Sequence, residues 1–218
     1  MANVTDDLVR LYAGSDALGI GEMVRGKKVK ASEMIEAATP LVERLDPQLN
    51  AVVIRTFDLA RERSADPGEG VFAGVPFLLK NLGTMWKGTP MTWGTPYLKD
   101  FFCAEDSEIG RRMKAAGLMP IGRSNTPEYG WCITTQPRLH GATKNPWNAD
   151  ITPGGSSGGT AAAGFARAPA PPGAFPRGGA PPGPPISTRS PAACRAIPIP
   201  RRGRTAAGWP VSRRSRSG

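Results

Sequence analysis

Pro153-Gly154-Gly155-Ser156-Ser157-Gly158-Gly159-Thr160 sets two serines among four glycines, and Ala161-Ala162-Ala163 follows at once. Glycine admits left-handed backbone angles and lets other groups come close to the main chain. The small residues after it can open a helix, and the N–H groups of the loop then face any negative charge that develops beside them. The competing reading is a flexible Gly/Ser linker of the same composition. Working outward, the second focus is Lys80, which closes Gly74-Val75-Pro76-Phe77-Leu78-Leu79-Lys80-Asn81. A lysine ending an apolar run is ordinarily a solvated strand end. Held among Val75, Phe77, Leu78 and Leu79 it can instead give up its proton, because burial disfavours the charged amine.

Around these two points, helix and strand signals alternate. Thr5-Asp6-Asp7 caps a short helix carrying Leu8, Val9 and Leu11. A second short helix ends at Arg25-Gly26-Lys27-Lys28. Ser32 is expected to cap a longer helix from Glu33 to Leu45, whose Met34, Ile35, Ala38, Leu41 and Val42 recur at helical spacing. Pro40 is expected to kink it, and Asp46-Pro47 to end it. Residues 50–54 read as a buried strand and residues 57–64 as a helix closed by Asp66-Pro67-Gly68. Residues 71–80 read as a strand that Pro76 confines to a bulge or an edge. A long loop over residues 83–103, a helix from Asp106-Ser107 to Gly117 and a strand over residues 118–122 complete the pattern. Such alternation predicts an α/β fold with a partly parallel sheet.

Composition divides the chain. Of its 218 residues, positions 1–164 hold 18 Lys+Arg and all 18 Asp+Glu, and are neutral. Positions 165–218 hold ten arginines, no lysine, no acid and 12 of the 23 prolines, so the whole net charge of +10 lies there. Prolines in that region exclude regular helix and most sheet pairing, so a disordered or extended tail is expected. A basic chain raises nucleic acid as a partner, but only through this tail. Cys103, Cys132 and Cys194 show no metal or redox spacing. With an acidic N-terminus and no membrane-length apolar run, they predict a reducing, cytoplasmic setting.

Four segments in order resemble the amidase signature family: residues 74–80, Arg123-Ser124-Asn125-Thr126-Pro127-Glu128, Asn145-Pro146-Trp147, and residues 154–159. The run from Ser124 through Trp131 to His140 and Trp147 looks closest to the branch containing 6-aminohexanoate-cyclic-dimer hydrolase. The likeness covers roughly residues 1–163. It implies an N-terminal part of an amidase domain there, with a mixed sheet flanked by helices, truncated and followed by an irregular Pro/Arg-rich tail over residues 164–218. It also implies hydrolysis of a linear or cyclic small-molecule amide, without cofactor or metal.

The resemblance further implies roles. Lys80 matches the family's base. Ser156 matches the serine that follows a cis peptide and relays the proton. Ser157, Gly154 and Gly155 support the loop. The nucleophile is a later serine in a Gly-Gly-Ser-Ile-Arg-like segment, and here the chain departs from the pattern. Its nearest remnant is Ile186-Ser187-Thr188-Arg189-Ser190-Pro191-Ala192, which makes Ser187 the candidate. Loss of acids with a rise in Pro, Ala, Gly and Arg is what GC-rich DNA gives when read out of frame. A frame error near Gly164 is therefore expected to show in the gene's DNA. Weak or absent activity is expected of the chain as written. The lone His140 reads as structural or solvated rather than catalytic, and Trp93, Tyr129, Trp131 and Cys132 as packing or pocket lining. Two alternatives stand beside the amidase: the A subunit of a tRNA-dependent amidotransferase, and a non-enzymatic binding protein whose basic tail contacts nucleic acid. The sequence leaves the oligomeric state open.

Overall fold

A computed structural model describes residues 6–166 of the chain. Three helices lead in: α1 (Asp6–Gly14), α2 (Ala17–Arg25) and α3 (Ala31–Leu49). Strand β1 (Val52–Arg55) and helix α4 (Phe57–Arg63) follow, then β2 (Val75–Lys80), α5 (Glu108–Ala115), β3 (Leu118–Ser124) and α6 (Gly158–Ala166). The sheet has three strands in the order β1-β3-β2. β1 runs antiparallel to β3, and β2 runs parallel to it with Lys80 opposite Ser124. This is the mixed sheet that the alternating pattern predicts.

Helix α3 differs from its expected bounds. Its N-cap is Lys30, whose N–H is accepted by the Glu33 carboxylate at 2.8 Å, so Ser32 lies inside the helix. It also passes through both Pro40 and Pro47 and stops at Asn50, in the left-handed region at φ 51°. Packing outweighs the lost hydrogen bonds: Met34, Ile35 and Ala37 are fully buried in the core. That core joins α2 and α3 to Val52, Val75, Leu78, Met119 and Ile121 of the sheet. Pro76 falls on β2, at an edge of the described sheet, with a register shift between Phe77 and Leu78. An edge strand accommodates a residue that lacks an N–H. β2 begins at Val75 rather than Val71, because residues 71–74 form a turn tied by Gly74 N–H to Gly117 O at 3.0 Å. Gly117 ends α5 at φ 90°, and a Cβ there would lie 2.6 Å from Ala73 Cα, so only glycine fits.

Ser107 caps α5 by accepting from Gly110 N–H at 3.2 Å. Residues 83–103 form a long connection with one short 3-10 turn, Pro96–Leu98. α6 continues to Ala166, past Gly164 where helical spacing fades. Among the described residues no helix is long and apolar enough to cross a membrane.

Candidate active site

The parallel pairing of β2 and β3 brings Lys80 to one end of the sheet, where the 153–158 loop crosses it. Lys80 is half-buried, and burial pushes its amine below the ordinary 10.5. Its Nζ donates to Ser156 Oγ at 2.7 Å. The Gly155–Ser156 peptide is cis, and Gly154 sits at φ 89°. A Cβ on Gly155 would come 2.7 Å from Cys132 O and 2.8 Å from Ile133 C, so the loop nests against the 132–134 backbone only with glycine there.

Hydroxyls lock this loop. Thr135 Oγ1 donates to Gly154 O at 2.8 Å and accepts from Gly158 N–H at 3.2 Å. Thr126 Oγ1 donates to Ser156 O at 3.0 Å. Gly159 N–H donates to Asn125 O at 3.2 Å, and the Ser124 and Thr160 hydroxyls meet at 2.6 Å. α6 therefore starts directly after the serine pair, with Ser157 O accepting from Ala161 N–H at 3.0 Å. The Gly/Ser run is a fixed turn into a helix.

On the other side of Lys80, the Asn81 side chain donates to Thr92 Oγ1 at 2.7 Å. The Thr92 hydroxyl lies 2.8 Å from His140 Nε2. His140 is half-buried, and burial lowers its pKa from the ordinary 6.5. It sits in a polar cluster behind the lysine. Trp93 and Tyr129 make an edge-to-face pair with centroids 6.0 Å apart. Trp131 is not packed in the core: it is 89% exposed, on the loop that backs Gly155. Cys132 is exposed as well.

The structure thus brings Lys80 and Ser156 into contact, with Gly154, Gly155 and Ser157 in the same turn. Ser187 lies outside the described residues. Sequence reading missed Thr126 and Thr135, whose hydroxyls hold the carbonyls on either side of the loop. Thr126 lies inside the recognised segment 123–128, so its signal was present without a role attached.

An α/β chain whose half-buried strand-end lysine meets a serine-bearing glycine turn is the class of molecule that fold and site define. The sequence profile of the amidase family matches residues 33–168. The 6-aminohexanoate-cyclic-dimer hydrolase of Paenarthrobacter ureafaciens is 41% identical over 150 residues, 68% of this chain and 30% of that protein. The solved structure of 6-aminohexanoate cyclic dimer hydrolase complexed with substrate superposes with a TM-score of 0.67 at 39% identity, covering 71% of this chain and 32% of that one. A bacterial aryl acylamidase of the amidase signature family superposes with a TM-score of 0.65 at 37% identity, covering 70% and 33%. The chain belongs to the amidase family, and it spans about 30% of the length of the curated relative it matches.

Proposed function

We propose that this chain carries the proton-relay part of an amidase that hydrolyses a linear or cyclic carboxamide through Lys80 and Ser156. The observation behind this reading is the 2.7 Å contact from Lys80 Nζ to Ser156 Oγ, made by an amine whose pKa burial lowers. An unprotonated amine at that distance accepts the Ser156 hydroxyl proton, and Ser156 Oγ then accepts the proton of the attacking hydroxyl. Run in reverse, the same path delivers a proton to the departing nitrogen. Gly154, Gly155 and Ser157 hold the turn in which Ser156 sits. Relatives named for a cyclic amide and for aryl acylamides support a small-molecule amide as substrate.

Ser187 is the proposed counterpart of the nucleophile. It stands in a Pro- and Arg-rich sequence without the glycine pair that the family places before this serine. Slow or absent turnover by the chain as written follows from that setting. Residues 1–163 form the amidase part in this reading and residues 164–218 a separate tail. The unpaired Cys103 and Cys132 suit a reducing cytoplasm.

Labelling of the 218-residue chain with a serine-directed fluorophosphonate, the modified residue being located by mass spectrometry, tests the reading. A serine is expected to label at a rate that drops at least about tenfold in Lys80→Ala, as loss of a general base requires. Equal labelling of the two proteins overturns it.

A further inference from the structure

Among the described residues Arg123 is the largest fully buried charged side chain. A buried cation is costly unless something compensates it. Among the described residues its guanidinium meets only uncharged oxygens and a thiol. It donates to Lys80 O at 3.0 Å, to Thr84 O at 3.1 Å and to Thr89 Oγ1 at 2.8 Å, with Cys103 Sγ at 3.7 Å. Its Nε has no partner. Burial accordingly pushes the guanidinium pKa down. What the site gains for this cost is a rigid fork that grips the carbonyl of Lys80 and the first turn of the loop after it.

Three residues on, Thr126 is equally buried and donates its hydroxyl to Ser156 O at 3.0 Å. Between the two, Asn125 O accepts from Gly159 N–H, and Ser124 O accepts from Asn81 N–H at 3.1 Å. One short segment at the end of β3 therefore holds the backbone of Lys80 at one end and of Ser156 at the other. No other segment among the described residues bonds the carbonyls of both.

We propose that Arg123 and Thr126 are positioning residues, the two jaws of a caliper that sets the separation of Lys80 Nζ and Ser156 Oγ. This rests on the reading of Lys80 as the base. Opening either jaw lets the amine swing towards water, where it regains its proton. The caliper thus ties the protonation state of Lys80 to two side chains that touch neither the amine nor the Ser156 hydroxyl.

The test is NMR titration of the Lys80 amine in the 218-residue chain labelled with 13Cε-lysine, its signal assigned by loss in Lys80→Arg. In the wild type, Lys80 is expected to titrate below 10.5. In Thr126→Val and in Arg123→Lys its midpoint is expected to rise by at least about 0.5 pH unit, as release from burial requires. Thr126→Ser, which keeps the hydroxyl, is expected to restore the wild-type midpoint. The double variant is expected to gain less than the two singles summed, since both act on one separation. A depressed wild-type midpoint that Thr126→Val leaves unmoved overturns the caliper and spares the base reading. An ordinary midpoint in the wild type overturns the base reading and takes the caliper with it. Should Arg123→Lys fail to fold, Thr126→Val decides alone, because the caliper needs both jaws.

Discussion

His140 illustrates how burial biases a protonation state. Asn81 Oδ1 accepts from Thr92 N–H at 2.9 Å, which turns the amide NH2 of Asn81 towards Thr92 Oγ1 and the imidazole. Thr92 Oγ1 accepts from that amide and lies 2.8 Å from His140 Nε2. Burial of the ring lowers its pKa from the ordinary 6.5. In the interval from 6.5 down to the folded-state value, the unfolded chain binds the extra proton. Stability is then held above 6.5 and lost as pH falls through that interval. Asp106, also lowered, loses its share as pH falls below 3.8. His140→Gln is expected to flatten the loss of urea resistance between about pH 7 and about pH 5.5. An unchanged slope would reassign the effect. None of this network was readable from sequence, since Asn81, Thr92 and His140 are joined only across turns of a long loop. Lys80 and Ser156 were readable because their neighbours form short recognisable runs. Thr126 and Thr135 were not, because a threonine hydroxyl has the same composition whether it meets water or a loop carbonyl.

At the scale of elements, proline was the residue type that misled and the residue type that informed. In β2, Pro76 signalled a bulge or an edge, and among the described residues the strand lies at an edge of the sheet. In α3, Asp46-Pro47 signalled a stop, yet the helix runs 19 residues, through Pro47 to Leu49. A local rule counts the lost N–H bond, whereas the buried face of α3 adds apolar contact along its whole length. The true end of α3 is organised by Asp46. Its Oδ1 accepts from Ala51 N–H and Val52 N–H, each at 2.7 Å, which fastens the helix to the first residues of β1. Both amides are buried. Asp46→Ala is expected to cost about 2–4 kcal/mol by leaving them unpaired, and Asp46→Asn clearly less, since the amide oxygen can still accept. Urea unfolding of the two variants beside the wild type measures the difference. Equal losses would mean that the carboxylate's charge, rather than its acceptor geometry, holds the corner.

For the molecule as a whole, the feature that matters is what it leaves uncovered. Trp131 is 89% exposed, Ile133 72% and Tyr129 43%, all on the loop beside Ser156. A further apolar pocket opens between α3 and the sheet, lined by Tyr12, Leu41, Leu49, Val52, Leu78 and Ile121. Exposed apolar side chains and an open apolar pocket favour association in water. Opposing it is the net charge of +10, all carried by residues 165–218, whose mutual repulsion keeps copies apart at low ionic strength. The two forces respond oppositely to salt, which screens the charges and strengthens apolar burial when the anion is sulfate. Sedimentation of the full chain is therefore expected to show association that rises with ammonium sulfate well below precipitating concentrations. The pair Trp131→Ser and Ile133→Ser is expected to suppress it while leaving the thermal midpoint within about 2 °C, since neither side chain is in the core. Association that instead falls with salt, and ignores both substitutions, would place the contact in the arginines and leave the exposed loop to the substrate.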